Sequence, residues 1–178
     1  GSIPSILLCV YYFIYNSNPI VYSEFDSTTY IKEAIKILET GTYDNLKVLP
    51  LYPYFISFLF KIFGNYNYFS IILFQSFIIG LNALIIALIS KSFNKKWFYY
   101  SFILASIWPN LIWRTTYVSP EILLTLFVSL SFYFFVNFFH KNDKKTLYFS
   151  FIFSGFAALT KPSAIILPFA TLFFLLGY

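Results

Sequence analysis

The stretch YNYFSIILFQSFIIGLNALIIALISKSFNKK, from Tyr66 to Lys96, decides the fold. From position 66 to position 90 it holds no charged residue, and it then ends on Lys91, Lys95 and Lys96. A helix that crosses a bilayer needs about 20 mostly apolar residues, and this run is longer than that. Its apolar positions are continuous and do not alternate, which fits a helix and not a barrel strand. A helix also satisfies its own backbone in lipid, where no water can do so.

The rest of the chain supports the same solvent. Of its 178 residues 59% are hydrophobic and 25% are aromatic, with 25 Phe and 16 Tyr. Only 11% are charged, against about 25% in an ordinary soluble domain. A soluble fold of this size could not hide so much apolar surface in its core. Further apolar runs cover positions 3–15, 51–63, 97–113, 122–139, 147–159 and 164–178. The first is short for a span and reads as the end of a first helix. The second, LYPYFISFLFKIF, holds Pro53 and Lys61 and reads as an interfacial or re-entrant helix, or as the start of a bent span. The third is broken by Pro109. The expected fold is therefore all-α, a polytopic transmembrane helical bundle. Gly1-Ser2 reads as a cloning scar, and residues 1–178 read as the N-terminal part of one membrane-embedded domain, a fragment with no separate soluble domain. Cys9 lies in an apolar run, can form no internal disulfide and reads as a structural thiol.

Lysine placement sets the expected orientation. The loop KSFNKK (91–96) and the loop HKNDKK (140–145) are both short and basic. Short basic loops stay on the cytoplasmic side, which also accounts for the net charge of +5 without any nucleic acid. Two spans separate neighbouring loops on one side. Positions 16–50, 114–121 and 160–163 then share the opposite, external face. Asp26, Arg114, Glu121 and Lys161 are far apart in sequence, yet this topology gathers them.

Each of these residues has a chemical reading and a plain one. In SEFDSTTYIKEAIKILETGTY (Ser23–Tyr43), apolar residues fall at Tyr30, Ile31, Ala34, Ile35, Ile37 and Leu38. That is a helical stripe, with Lys32, Glu33, Lys36 and Glu39 on the other face. Such an amphipathic helix is expected to lie in the interface, its stripe in the headgroup boundary. Asp26 or Ser27 can cap its start and Gly41 can end it. Asp26 is either that cap or a carboxylate of an active site. Arg114, beside Trp113, is a snorkelling anchor or a ligand for an anion. Glu121 follows Pro120 and is a first-turn acid or a second site carboxylate. Lys161, in ALTKPSA, is not explained by lysine's cytoplasmic bias and suits a phosphate, unless it only snorkels. His140 sits in a basic loop and reads as solvated. No phosphate-cradling glycine loop, Cys/His cluster or nucleophile elbow occurs, which argues against nucleotide hydrolysis and nucleic-acid binding.

These residues resemble a known family. Asp26, Tyr30, Ala34, Gly41 and Tyr43 come first, then the stretch LPLYPYFISFLFKIFG closing on Gly64, then SPE and ALTKP before later spans. The order is similar to the N-terminal half of GT-C superfamily glycosyltransferases that use polyprenyl-phosphate sugars. Protein O-mannosyltransferases and the lipid A aminoarabinose transferase are the nearest in kind. The resemblance implies a multi-pass integral membrane enzyme that moves a sugar, with inversion, from a polyprenyl-phosphate carrier to a lipid, glycan or protein acceptor at the external face. The membrane would be a bacterial inner membrane, or that of the endoplasmic reticulum in a eukaryote. Asp26 and Glu121 would be its catalytic acids. Lys161 would bind the carrier phosphate and Tyr30 the substrate, while Arg114 is added to the substrate-binding set from topology alone. Where some relatives carry an acid or Lys-Pro, this chain has Val48-Leu49-Pro50 with Lys47 nearby, which leaves a divalent metal site open. A carboxylate to take the acceptor's proton and a cation to meet the departing phosphate are what such a transfer needs. A transporter or flippase would instead bury charges in mid-span and repeat its broken helices, and neither pattern occurs. A non-catalytic scaffold subunit remains a third reading.

Overall fold

The computed structural model describes Ile3, Leu7 and residues 25–45, 47–64 and 67–176; of Phe25 and Asp26 it describes the backbone alone. Among these residues there is no strand. The helices are α1 (Phe25–Thr40), α2 (Leu51–Phe63), α3 (Tyr68–Phe93), α4 (Trp97–Ser106), α5 (Pro109–Arg114), α6 (Pro120–Lys141), α7 (Lys144–Thr160) and α8 (Ile166–Leu176), with a 3₁₀ turn at Pro162–Ile165. The apolar run at 3–15 and its Cys9 lie almost wholly outside the described residues.

Two helices, α3 and α6, are long and apolar enough to cross a membrane. The deciding stretch forms α3, capped by the Asn67 side chain accepting from the Ser70 N–H at 3.2 Å. Much apolar surface faces outward, including Phe77 at 64%, Phe173 at 77% and Leu176 at 80% exposure. Large contiguous apolar surface of this kind belongs against lipid or another apolar partner, not water.

The run at 97–113 is not one helix. It divides into α4 and α5, with Trp108 in extended backbone just before Pro109. A residue before proline is pushed out of the helical region, and the proline then opens the next helix at N1. In place of the single span expected there stand two short helices, of 10 and 6 residues. Pro53, by contrast, breaks nothing. It sits in the first turn of α2, where its missing N–H would have had no partner anyway. At 13 residues that helix is about 20 Å long, too short for a span.

The first helix is amphipathic, but its stripe faces protein. Tyr30, Ile31, Ala34 and Ile37 are buried, and the Tyr30 ring meets the Tyr52 ring of α2 edge-on at 5.1 Å. The expectation that this stripe rests in lipid headgroups is corrected: α2 offers a drier and closer apolar partner. Asp26 and Ser27 lie inside the first turn of α1 and not before it. Gly41 ends the helix as expected, at φ +72° with its N–H on Ile37 O at 2.9 Å. The polar face of α1 ties down the loop that follows. Asn45 donates to Glu33 at 3.0 Å, and Lys36 pairs with Asp44 at 2.7 Å, a hydrogen bond that holds the Lys36 ammonium above its usual range.

The lysine loops share one end of the bundle. The His140 ring nitrogen lies 3.0 Å from Ser92 O, which brings the ends of α3 and α6 together. The opposite end collects residues 115–119 and the end of α7. Gln75, 1% exposed, organises it. Its Nε2 donates to Tyr117 O at 2.7 Å and Thr115 O at 3.4 Å, while its Oε1 accepts from the Tyr52 hydroxyl and the Ser119 N–H. The antiparallel pair α6 and α7 is fastened midway. Ser131 donates to Ser150 O at 3.0 Å and Ser150 to Ser131 O at 2.9 Å.

Replacing Gln75 by Leu strands the Tyr52 hydroxyl and three backbone groups, the Ser119 N–H and the carbonyls of Thr115 and Tyr117. Each orphaned group costs about 1–3 kcal/mol, so Gln75→Leu should destabilise the bundle by about 4 kcal/mol or more in a chemical unfolding titration. An unchanged midpoint would show that the amide is not what holds residues 115–119.

Candidate active site

Two prolines build the site from opposite directions. Ser119 is extended, at φ −137° and ψ 122°, and Pro120 opens α6 at N1. Glu121 therefore stands in the first turn, where the positive end of the helix dipole favours a carboxylate. Lys161 is also extended, at φ −149° and ψ 136°, because Pro162 follows it. It leaves the line of α7, and its side chain turns to α6.

The two meet. Lys161 Nζ donates to Glu121 Oε1 at 2.6 Å. Arg114 Nη1 lies 3.6 Å from the same oxygen, close enough for an ion pair but too far for a good hydrogen bond. The Ser119 hydroxyl donates to Glu121 Oε2. Arg114 is steadied from below by Asn110, whose Oδ1 accepts from Nε at 3.3 Å. The three charged side chains are 25% (Glu121), 38% (Lys161) and 36% (Arg114) exposed. Two cations thus face one carboxylate on a half-buried, water-reachable surface. Among these three residues one positive charge is unbalanced, and the start of α6 adds to it. Such a surface suits an oxyanion with several acceptors, above all a phosphate.

Sequence reasoning placed Arg114, Glu121 and Lys161 on one side, and the structure brings them into contact. The Asp26 side chain lies outside the described residues, so its distance to Glu121 is not a feature of this geometry. Its neighbour Ser27 is buried and donates to Val118 O at 2.9 Å, which seats the first turn of α1 on the segment leading to Glu121. Tyr30 is buried, 7% exposed, and its ring packs edge-on against Tyr52 at 5.1 Å. Among the described residues no group of three or more His, Cys, Asp or Glu comes together.

The residues that sequence reasoning missed are polar ones inside apolar runs. Gln75 and Tyr52 fix the segment that carries Ser119 and Glu121, and Ser119 itself holds the second carboxylate oxygen. The available signal was an uncharged amide in the middle of a membrane-length apolar stretch. A polar group there is expensive unless it is paired, so it points to a partner.

No curated protein matches this chain, and no solved structure matches it. A family model described as dolichyl-phosphate-mannose-protein mannosyltransferase matches residues 47–178. The match takes in Tyr52, Gln75, Arg114, Glu121 and Lys161, and it begins after Asp26 and Tyr30. An all-helical bundle, two span-length apolar helices and a cationic cluster at one end accompany that match, and the chain belongs to the dolichyl-phosphate-mannose-protein mannosyltransferase family, within the GT-C superfamily.

Proposed function

We propose that residues 1–178 form part of a multi-pass membrane glycosyltransferase. It takes a sugar from a polyprenyl-phosphate carrier and passes it, with inversion, to an acceptor hydroxyl at the external face. The observation that carries this reading is the convergence of Lys161 and Arg114 on Glu121 at the end of the bundle opposite the lysine loops. If those loops are cytoplasmic, the cluster faces out.

The chemistry assigns each residue a task. The acceptor oxygen attacks the anomeric carbon on the face away from the phosphate. The new carbon–oxygen bond forms as the bond to the phosphate oxygen breaks, and its electron pair leaves with the lipid phosphate. Lys161 and Arg114 neutralise the charge that grows on that phosphate. Asp26 takes the proton of the acceptor hydroxyl. Both oxygens of Glu121 are engaged with Lys161, Arg114 and Ser119, which favours a positioning role that holds two cations apart until the phosphate arrives. Tyr30 contributes through the core, by keeping α1 against Tyr52.

Lys161→Met should lower transfer from a polyprenyl-phosphate sugar by about 10²–10³-fold, the usual loss when one charge-stabilising donor is removed. A half-exposed ion pair contributes only about 1 kcal/mol or less to stability, so the melting temperature should barely move. Loss of fold together with activity would reassign the lysine to structure. Asp26→Asn should abolish transfer in membranes while leaving the unfolding midpoint unchanged. Retained transfer removes Asp26 from the base role. For sidedness, in a Cys9→Ser background, Ser163→Cys should react with a membrane-impermeant maleimide on intact cells and Asn142→Cys should not. The reverse pattern would put the cluster inside and end the proposal.

A further inference from the structure

A second cationic site lies at the other end of the bundle. Lys95, Lys96, Tyr99, Tyr100 and Ile103 line an open groove of about 530 Å³, which falls in the size range of roughly 300–1,000 Å³ that small-molecule sites occupy. Lys96, Tyr99, Tyr100 and Ile103 recur at helical spacing, so they form one stripe down α4. The turn that presents the lysines is fixed: Asn94 Oδ1 accepts from the Lys96 N–H at 2.9 Å, and the Asn94 N–H returns to Ser90 O at 3.1 Å.

Charge separates this groove from its surroundings. Neither Lys95 nor Lys96 forms an ion pair among the described residues. Lys91 is already engaged, 5.9 Å above the Phe98 ring. In the adjoining basic loop, Asp143 caps α7 by accepting from the Lys145 N–H at 3.0 Å, which sets an acid beside Lys144 and Lys145. No acid stands near Lys95 and Lys96 in sequence, and no carboxylate lines the groove.

Depth identifies the occupant. The groove begins where the span-length α3 ends, and the rings beside it are open, with Tyr99 at 71% and Tyr100 at 69% exposure. Tyrosines and lysines together mark the headgroup level of a bilayer. Below them Ile103 and Ile107, one turn apart and exposed, continue the stripe toward the hydrocarbon. We propose that this groove holds an anionic membrane phospholipid, its phosphate between Lys95 and Lys96, its glycerol region against Tyr99 and Tyr100, and one acyl chain along Ile103 and Ile107. The site is separate from the Glu121 cluster and stands whether or not sugar transfer proves correct.

Native mass spectrometry of the full-length protein from mixed micelles tests this, with phosphatidylglycerol, phosphatidylcholine and inorganic phosphate as the probes. Phosphatidylglycerol should be retained at least tenfold over phosphatidylcholine. Lys95→Gln/Lys96→Gln should erase that preference at an unchanged unfolding midpoint, while Lys95→Arg/Lys96→Arg keeps it. Lys144→Gln/Lys145→Gln, which removes the same charge from the neighbouring loop, should also keep it. Equal retention of the two lipids would overturn the proposal, and so would equal losses in both glutamine variants, which would mean a diffuse basic surface. Displacement by millimolar inorganic phosphate would reduce the groove to a bare anion site and likewise overturn it.

Discussion

The carboxamide of Gln75 makes four hydrogen bonds, and every partner lies on another segment. Residues 115–119 are irregular backbone, and Thr115, Thr116, Val118 and Ser119 are buried in it. Such backbone is tolerated in an apolar setting only where protein satisfies it. Gln75 does so from the first third of α3 and draws in Tyr52 of α2 with its other lone pair. Val118, in the same segment, receives the hydroxyl of Ser27, and so α1 joins as well. One amide thus fixes where α5 stops, where α6 starts and how α1 and α2 lean on both. The ion pairs around Glu121 sit on this support and do not supply it. Their side chains are a quarter or more exposed, where a pair contributes about 1 kcal/mol at most.

That division also answers why two cations stand where they do. A lysine or arginine that only snorkels extends its head toward water, away from the bundle. Arg114 and Lys161 instead converge on the same oxygen of one acid. The arrangement is uneconomical for stability, since it crowds two like charges together. It is in keeping with the proposed seat for a carrier phosphate, whose charge would relieve the crowding.

How much of this was legible depended on how local the cause was. The uncharged run from 66 to 90 gave α3 almost to its ends, because length and apolarity act residue by residue. The lysine loops and the SPE and TKP turns were readable for the same reason: proline and charge act on their immediate neighbours. From these alone the gathering of Arg114, Glu121 and Lys161 followed. What escaped depended on partners far along the chain. The stripe of α1 was visible, but nothing in it says that α2 and not lipid will cover it. The contact of the Tyr30 ring with Tyr52, a residue 22 positions on, is likewise a tertiary event. Gln75 was visible as an oddity, and only the packed bundle shows which carbonyls it serves. At 97–113 the break at Pro109 was readable, and the extended backbone of Trp108 is how it is made.

The reciprocal bonds between Ser131 and Ser150 have an effect beyond their strength, since hydrogen bonds between helices in a bilayer average only about 0.6 kcal/mol. They act as a vernier. Each serine finds its carbonyl only at a single setting of α6 against α7, and that setting is what aligns positions 121 and 161, forty residues apart along the hairpin. Adding one residue to either rod between clasp and tip would rotate the tip by about 100° and advance it by about 1.5 Å, swinging the ammonium off its carboxylate. Length variation in this lineage should therefore be confined to the short connection at positions 142–143, which lies on the far side of the clasp and leaves the alignment untouched.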